Sequence, residues 1–244
     1  MPRVEASSAV ELVNGLKALA ARSVPPRSCG RNKTHTEAWS TSTLLASLAE
    51  TELLKYPLAY EEAADKPDLR LHLPSRSVGV EITEMVPENY AQAIAIANAE
   101  FDDSLLVEPS LFPWGAPKLS GAQIRAMLSR MQTELTGPPS GGDGGRAVAL
   151  EWATAVRDTL LTKLEKINAP GYMAFADYWL VIYDNLPLSG LNRYMATECV
   201  RPLIDAAPST KSSFSLLLVE SSDTLVCIPV DGSTVAYLPI IRLS

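Results

Sequence analysis

The chain has 244 residues, 47% of them hydrophobic and 20% charged, with 21 Lys and Arg against 28 Asp and Glu. That composition excludes intrinsic disorder and collagen-like repeats, and the length suffices to bury a sizeable core without disulfide or metal staples. The net charge of −7 argues against a protein held to nucleic acid by bulk electrostatics alone.

Taken in chain order, residues 8 to 22 place apolar side chains at helical spacing and predict an amphipathic helix. It lies in a basic segment, residues 1 to 35, where Arg3, Lys17, Arg22, Arg27, Arg31 and Lys33 outnumber Glu5 and Glu11 for a net of +4. We expect this segment to form an N-terminal helix or arm, ahead of a main domain over residues 36 to 244. A second helix is predicted from about Thr36 to Lys55, with Thr34 or Thr36 as its cap, Leu44, Leu45, Leu48 and Leu53 as its buried stripe, and Tyr56-Pro57 as its stop. A strand near 58 to 62 precedes a change of period: Leu69, Leu71 and Leu73 alternate with polar residues, and Val78 to Thr83 alternate again after Pro74-Ser75-Arg76-Ser77. This predicts a hairpin.

Helices are predicted at about 88 to 103 and 120 to 135, separated by Pro109, Pro113, Trp114-Gly115 and Pro117. Phe112 and Trp114 read as packing residues of an inserted region spanning about 88 to 145, which closes with the flexible break Pro138 to Gly145. A long helix over 146 to 168 leads to the strand Tyr178 to Tyr183, whose near-continuous apolar run suits burial on both faces. A helix around 192 to 206 and strands near 214 to 220, 224 to 230 and 234 to 241 complete the pattern. Interleaved helices and strands predict an α/β fold with a mixed sheet.

Several function classes find no support. No apolar run approaches the roughly 18 residues of a membrane span, and Met1 to Val10 lacks the basic head and apolar core of a secretory signal. A cytoplasmic location without a membrane partner is expected. Cys29, Cys199 and Cys227 are odd in number and far apart, which offers neither a disulfide framework nor a Cys-x-x-Cys knuckle and suits a reducing compartment. The glycine cluster at 141 to 145 lacks the Gly-Lys-Ser/Thr ending of a phosphate loop, and no Gly-x-Gly-x-x-Gly follows a strand. There is no Gly-x-Ser-x-Gly elbow, and His35 and His72 lack zinc-hydrolase spacing.

One constellation carries chemistry. If Pro74 to Ser77 form a four-residue connection, position 68 falls opposite 83, and Asp68, Glu81 and Thr83 project from one face of the hairpin while Val78, Val80 and Ile82 take the other. Two carboxylates converging on one face repel unless a cation lies between them, and a hard ion such as Mg²⁺ resolves that conflict.

Pro67-Asp68 followed by Val78-Gly79-Val80-Glu81-Ile82-Thr83 resembles the core of the PD-(D/E)XK, or restriction-endonuclease-like, nuclease superfamily, whose motif is an Asp on one strand and Glu-x-Lys on the next. The resemblance covers roughly residues 36 to 86 and 146 to 185. It implies a helix-strand-strand-strand-helix-strand core, mapping to the helix at 36 to 55, the strands near 58 to 62, 67 to 73 and 78 to 86, the helix at 146 to 168 and the strand at 178 to 183. It further implies a Mg²⁺-dependent, or Mn²⁺-dependent, endonuclease acting on nucleic acid, with DNA the expected substrate. Asp68, Glu81 and the Ile82 carbonyl would then be metal ligands. Thr83 stands where the family places lysine; it could orient a water but brings no positive charge. Some members carry that lysine on the following helix. Here Lys163 falls on the apolar stripe of Trp152, Val156, Leu160 and Ile167, with Lys166 as second choice. Glu37, seven residues before Leu44, is the candidate for the helix glutamate that completes the site in many members, ahead of Glu50 and Glu52.

Other readings of these residues remain open at this level. Asp68 and Glu81 could be exposed residues of an amphipathic hairpin, Lys163 a lysine whose stem covers core surface, and Glu37 an acidic residue favoured at a helix start. The basic N-terminal segment is either a solvated face or a phosphate-contacting arm, and the insertion would set substrate access or dimerisation. The rival function is a catalytically inactive interaction or regulatory protein on the same fold, favoured by the missing Glu-x-Lys lysine and the overall acidity. A third is an assembly subunit of a phage or mobile element.

Overall fold

A computed structural model describes residues 3–20, 33–62, 66–101, 105–134 and 145–243. Among these residues eight strands build one mixed sheet whose spatial order follows the chain: β1 (Val4–Ala6), β2 (Leu58–Glu62), β3 (Leu69–Leu73), β4 (Arg76–Met85), β5 (Asp177–Asp184), β6 (Leu216–Ser221), β7 (Thr224–Pro229) and β8 (Ala236–Pro239). All neighbours are antiparallel except β4 with β5 and β5 with β6. Parallel neighbours need long crossovers. The first carries α3 (Glu88–Glu100), α4 (Gly121–Glu134) and α5 (Arg146–Ile167), and the second carries α6 (Arg193–Asp205).

Period and burial agree strand by strand. Val78, Val80 and Ile82 of β4 join Leu69 and Leu71 of β3 in a core covered by α1 (Ala9–Ala20) and α2 (Lys33–Leu48), through Leu12, Leu16, Leu44, Leu45 and Leu48. The opposite face packs Tyr178, Leu180 and Ile182 of β5 against Trp152, Val156, Leu160 and Leu164 of α5 and Val200 of α6. The predicted α/β mixed sheet flanked by helices is therefore present. β5 and β6, buried on both faces, lie at its centre. No described helix is long and apolar enough to cross a membrane.

Three sequence expectations are corrected. The β3–β4 connection is not four residues but the two-residue turn Pro74-Ser75, with Leu73 opposite Arg76 and Leu69 opposite Val80. Asp68 therefore comes level with Glu81 rather than with Thr83, a shift of two positions that leaves every side chain on its expected face. Helix α2 begins at Lys33, so Thr34 and Thr36 lie inside it, and it ends at Leu48 rather than Lys55. The end is set by Thr51, whose backbone N–H and hydroxyl both donate to the Leu48 carbonyl (2.9 and 2.8 Å) and halt propagation. Finally, the predicted N-terminal helix is present as α1 (Ala9–Ala20), but residues 3–20 do not stand apart as an arm: β1 extends the sheet beside β2, and α1 buries Leu12, Leu16 and Leu19 in the first core. Arg22, Arg27, Cys29 and Arg31, and the glycine cluster before Gly145, lie outside the described residues.

Candidate active site

Strand β4 outruns β3. The last β3 residue paired with it is Leu69, opposite Val80, so the backbone groups of Ile82 on that side have no strand to bond. Side chains take them instead. Asp68, directly before β3, accepts the Ile82 N–H on Oδ2 at 2.8 Å, and the Lys163 ammonium donates to the Ile82 carbonyl at 3.1 Å. Pro67 supplies no N–H of its own there.

One residue back, Glu81 projects to the α5 face and is completely buried, its side chain 0% exposed. An isolated carboxylate in that position would be costly. It accepts from Lys163 at 2.9 Å and Lys166 at 2.6 Å, both on Oε2, and from the Tyr172 hydroxyl on Oε1. The same ammonium groups reach Asp68, at 4.0 Å from Lys163 and 3.9 Å from Lys166. Lys163 and Lys166 are three apart on α5 and so share a flank of the helix. Lys163, as expected from the stripe, is the more enclosed of the two, at 12% against 30% side-chain exposure. The exposed-hairpin reading of Glu81 is thereby excluded.

Tyr172 was not anticipated from the sequence. It is the last residue of the turn Ala169 to Tyr172, closed by the Tyr172 N–H on the Ala169 carbonyl at 3.2 Å, in which Gly171 adopts φ +80°. A side chain at 171 would strain that turn. Burial first, then the hydrogen bond to Glu81 and the charges of Glu81 and Asp68, push the Tyr172 hydroxyl far above its ordinary range, so it stays protonated and donates. The one sequence clue was proximity, a tyrosine six residues after Lys166. Lys66 lies 5.9 Å from the centre of the Tyr172 ring and adds a third ammonium at the rim.

The remaining candidates behave differently. Thr83 is two residues past Glu81 on the same face of β4 and is partly buried, but it makes no hydrogen bond to Asp68 or Glu81. Glu37 rides on α2, which covers the opposite face of the sheet, so the structure does not bring it to Glu81. Glu50 and Glu52 follow the end of that helix, and Glu52 pairs with Lys55. Arg3 of the basic N-terminal segment pairs with Glu5 at 3.3 Å. Phe112 is buried in a small core of the insertion, and Trp114 packs on the α5 core while donating to Asp158 at 3.0 Å.

Three oxygens of this cluster gather around one point. Glu81 Oε2, the Ile82 carbonyl and Asp68 Oδ2 lie 2.9, 3.1 and 4.0 Å from a single point, the Lys163 nitrogen. An ammonium there marks where three oxygens converge on positive charge. Among the described residues no group of three or more His, Cys, Asp and Glu side chains is arranged to hold a metal, so the third oxygen would have to be the Ile82 carbonyl, with water completing the shell.

Comparison with known proteins found no matching family model, no matching curated protein and no matching solved structure.

Proposed function

We propose that this chain is a divalent-metal-dependent phosphodiesterase of the restriction-endonuclease-like type, an endonuclease with DNA as its substrate class. The carrying observation is the convergence of Asp68, Glu81 and the Ile82 carbonyl within 4.0 Å of the Lys163 nitrogen. Element order supports the same reading: α2, β2, β3, β4, α5 and β5 follow the helix-strand-strand-strand-helix-strand order of that fold, with antiparallel β2–β3–β4 and parallel β4–β5. The lysine absent from position 83 has a substitute on α5.

Asp68, Glu81 and the Ile82 carbonyl would hold Mg²⁺ or Mn²⁺, which supplies Lewis-acid polarisation of a phosphate and a bound water of lowered pKa. Lys163 and Lys166 bring two ammonium groups to the place where negative charge grows on a phosphate under attack. Tyr172 donates to Glu81 and fixes its carboxylate plane. Thr83, further along the same face, is placed to orient water.

Plasmid cleavage with Mg²⁺ or Mn²⁺ tests the proposal. Asp68→Ala and Glu81→Gln should abolish nicking, and Lys163→Met should reduce it by about 10²–10³-fold, with thermal midpoints recorded because unpairing a buried charge is itself destabilising. Cleavage that survives both carboxylate changes removes the mechanism.

The catalytically inactive alternative has one observation in its favour: Glu81 already accepts from three donors, so the cluster satisfies itself without an ion. A folded wild-type protein that cleaves neither plasmid nor single strands with either ion would favour that alternative.

A further inference from the structure

We infer that the Asp68–Glu81–Lys163–Lys166 cluster binds a divalent cation and a phosphate as a coupled pair, with Lys163 yielding its position to the cation and turning, with Lys166, to the phosphate. This rests on the metal-site reading above and adds how that site is loaded. These two carboxylates and two ammonium groups carry formal charges that cancel among themselves, with Lys66 outside them at the Tyr172 ring. Both carboxylates and Lys163 are largely withdrawn from water, at 5%, 0% and 12% side-chain exposure for Asp68, Glu81 and Lys163, while Lys166 is 30% exposed. Balanced charge is the stable arrangement for groups so enclosed.

A divalent cation entering alone breaks that balance twice. Mg²⁺ binds oxygen at about 2.0–2.1 Å, and the oxygens it needs are those that hold the Lys163 nitrogen at 2.9 and 3.1 Å. Ion and ammonium cannot share that point. The displaced ammonium is then left beside the dication in a poorly solvated site, an unfavourable like-charge contact. A phosphate removes both penalties: its oxygens accept from Lys163 and Lys166, and its charge offsets the surplus. Of the two lysines Lys166 has the freer way outward, its side chain being 30% exposed against 12% for Lys163. Lys66 at the Tyr172 ring adds positive charge on the same approach.

Coupling of this kind is reciprocal. The phosphate should raise cation affinity by the same factor by which the cation raises phosphate affinity. A protein loaded in this way holds its metal site closed by its own lysine until a phosphate-bearing substrate arrives.

The test measures Mn²⁺ binding by calorimetry and by loss of the free-ion EPR signal, with no turnover required. Mn²⁺ is titrated into the whole protein alone, then with a phosphorothioate-linked thymidine dinucleotide, then with its uncharged methylphosphonate counterpart, and ion bound by the dinucleotides in protein-free controls is subtracted. The expected result is weak Mn²⁺ binding alone, strengthened at least about fivefold by the phosphorothioate and unchanged by the methylphosphonate. Lys163→Met should bind Mn²⁺ alone more tightly than the wild type by at least about fivefold and lose most of the coupling. The wild-type titrations stand without the variant if it fails to fold. Mn²⁺ binding of equal strength with and without the phosphorothioate overturns the coupling while leaving the metal site intact. No Mn²⁺ binding under any condition overturns the metal site and the coupling together.

Discussion

Glu220 on β6 is 1% exposed and accepts one hydrogen bond, from Ser40 of α2 to Oε2 at 3.1 Å, while Oε1 has no partner. Asp184, at the end of neighbouring β5, contrasts with it: burial raises that carboxyl too, but Trp152, Ser221 and the Leu186 N–H all donate to it. Burial pushes Glu220 up to about 8, against the opposing pulls of Ser40 and the Arg242 charge. An unfolded glutamate loses its proton near 4.3, so across the interval from there to about 8 the folded chain keeps a proton that the unfolded chain has released. The stabilisation is complete below that interval and is lost as pH rises through it. Glu220→Gln mimics the neutral acid at every pH. It should match the wild type near pH 4 and exceed it by roughly 1–3 kcal/mol at pH 8.5, read as urea midpoints across the range. A variant whose deficit or gain is the same at both ends would show that Glu220 is not the group responsible.

Strand β4 carries the site through what it lacks as well as through what it bears. Gly79, two residues before Glu81 on the same face, leaves room for the Tyr178 ring: a Cβ there would lie 2.8 and 2.9 Å from ring carbons of Tyr178 and 3.0 Å from Phe175. Tyr178 in turn accepts the Phe175 N–H at 3.0 Å and donates to the Met173 carbonyl, bracing the segment that delivers Tyr172 to Glu81. Gly79→Ala should therefore cost about 1–3 kcal/mol and shift tyrosine near-UV dichroism, whereas an unaltered spectrum and midpoint would mean that the loop is not braced through this contact. The strand that carries Glu81 and the helix that carries Lys163 and Lys166 were legible in the sequence because each has a clear period, two for β4 and 3.6 for α5, and Asp68 was placed by the alternation of β3 that follows it. Hairpin register was not, since Pro74 to Ser77 can close as a two- or four-residue connection and both keep the same faces. β1 was missed because three residues hold too little alternation to read. The overlong α2 arose because apolar spacing continues to Leu53 while Thr51 caps the helix by a local hydrogen bond that periodicity does not register. Tyr172 lies in a turn, where no period exists to place it on any face.

At the scale of the whole chain, the crossover from β4 to β5 holds two kinds of structure with separate cores. α5 belongs to the sheet, whereas α3 and α4 pack on each other around Ala93, Ile96, Val107, Phe112, Ile124 and Leu128. Internal bonds tie that hairpin together: Asn89 donates to the Pro117 carbonyl and accepts from the Leu119 N–H, both at 2.9 Å, and Arg125 pairs with Glu100. Trp114 joins it to α5, through its backbone N–H on Glu151 at 3.1 Å and its indole N–H on Asp158 at 3.0 Å. With its own core and, among the described residues, an attachment centred on Trp114, this unit is expected to open locally before the molecule unfolds. Leu128→Ala removes a fully buried side chain from that small core, at a cost of about 2–5 kcal/mol. The loss should fall on local opening. Amide hydrogen exchange should accelerate across α3 and α4 while β4, β5 and β6 keep their protection. If the strands lose protection in step with the hairpin, the crossover and the sheet fold as one cooperative unit, and the insertion is part of what holds β4 and β5 side by side beneath the site.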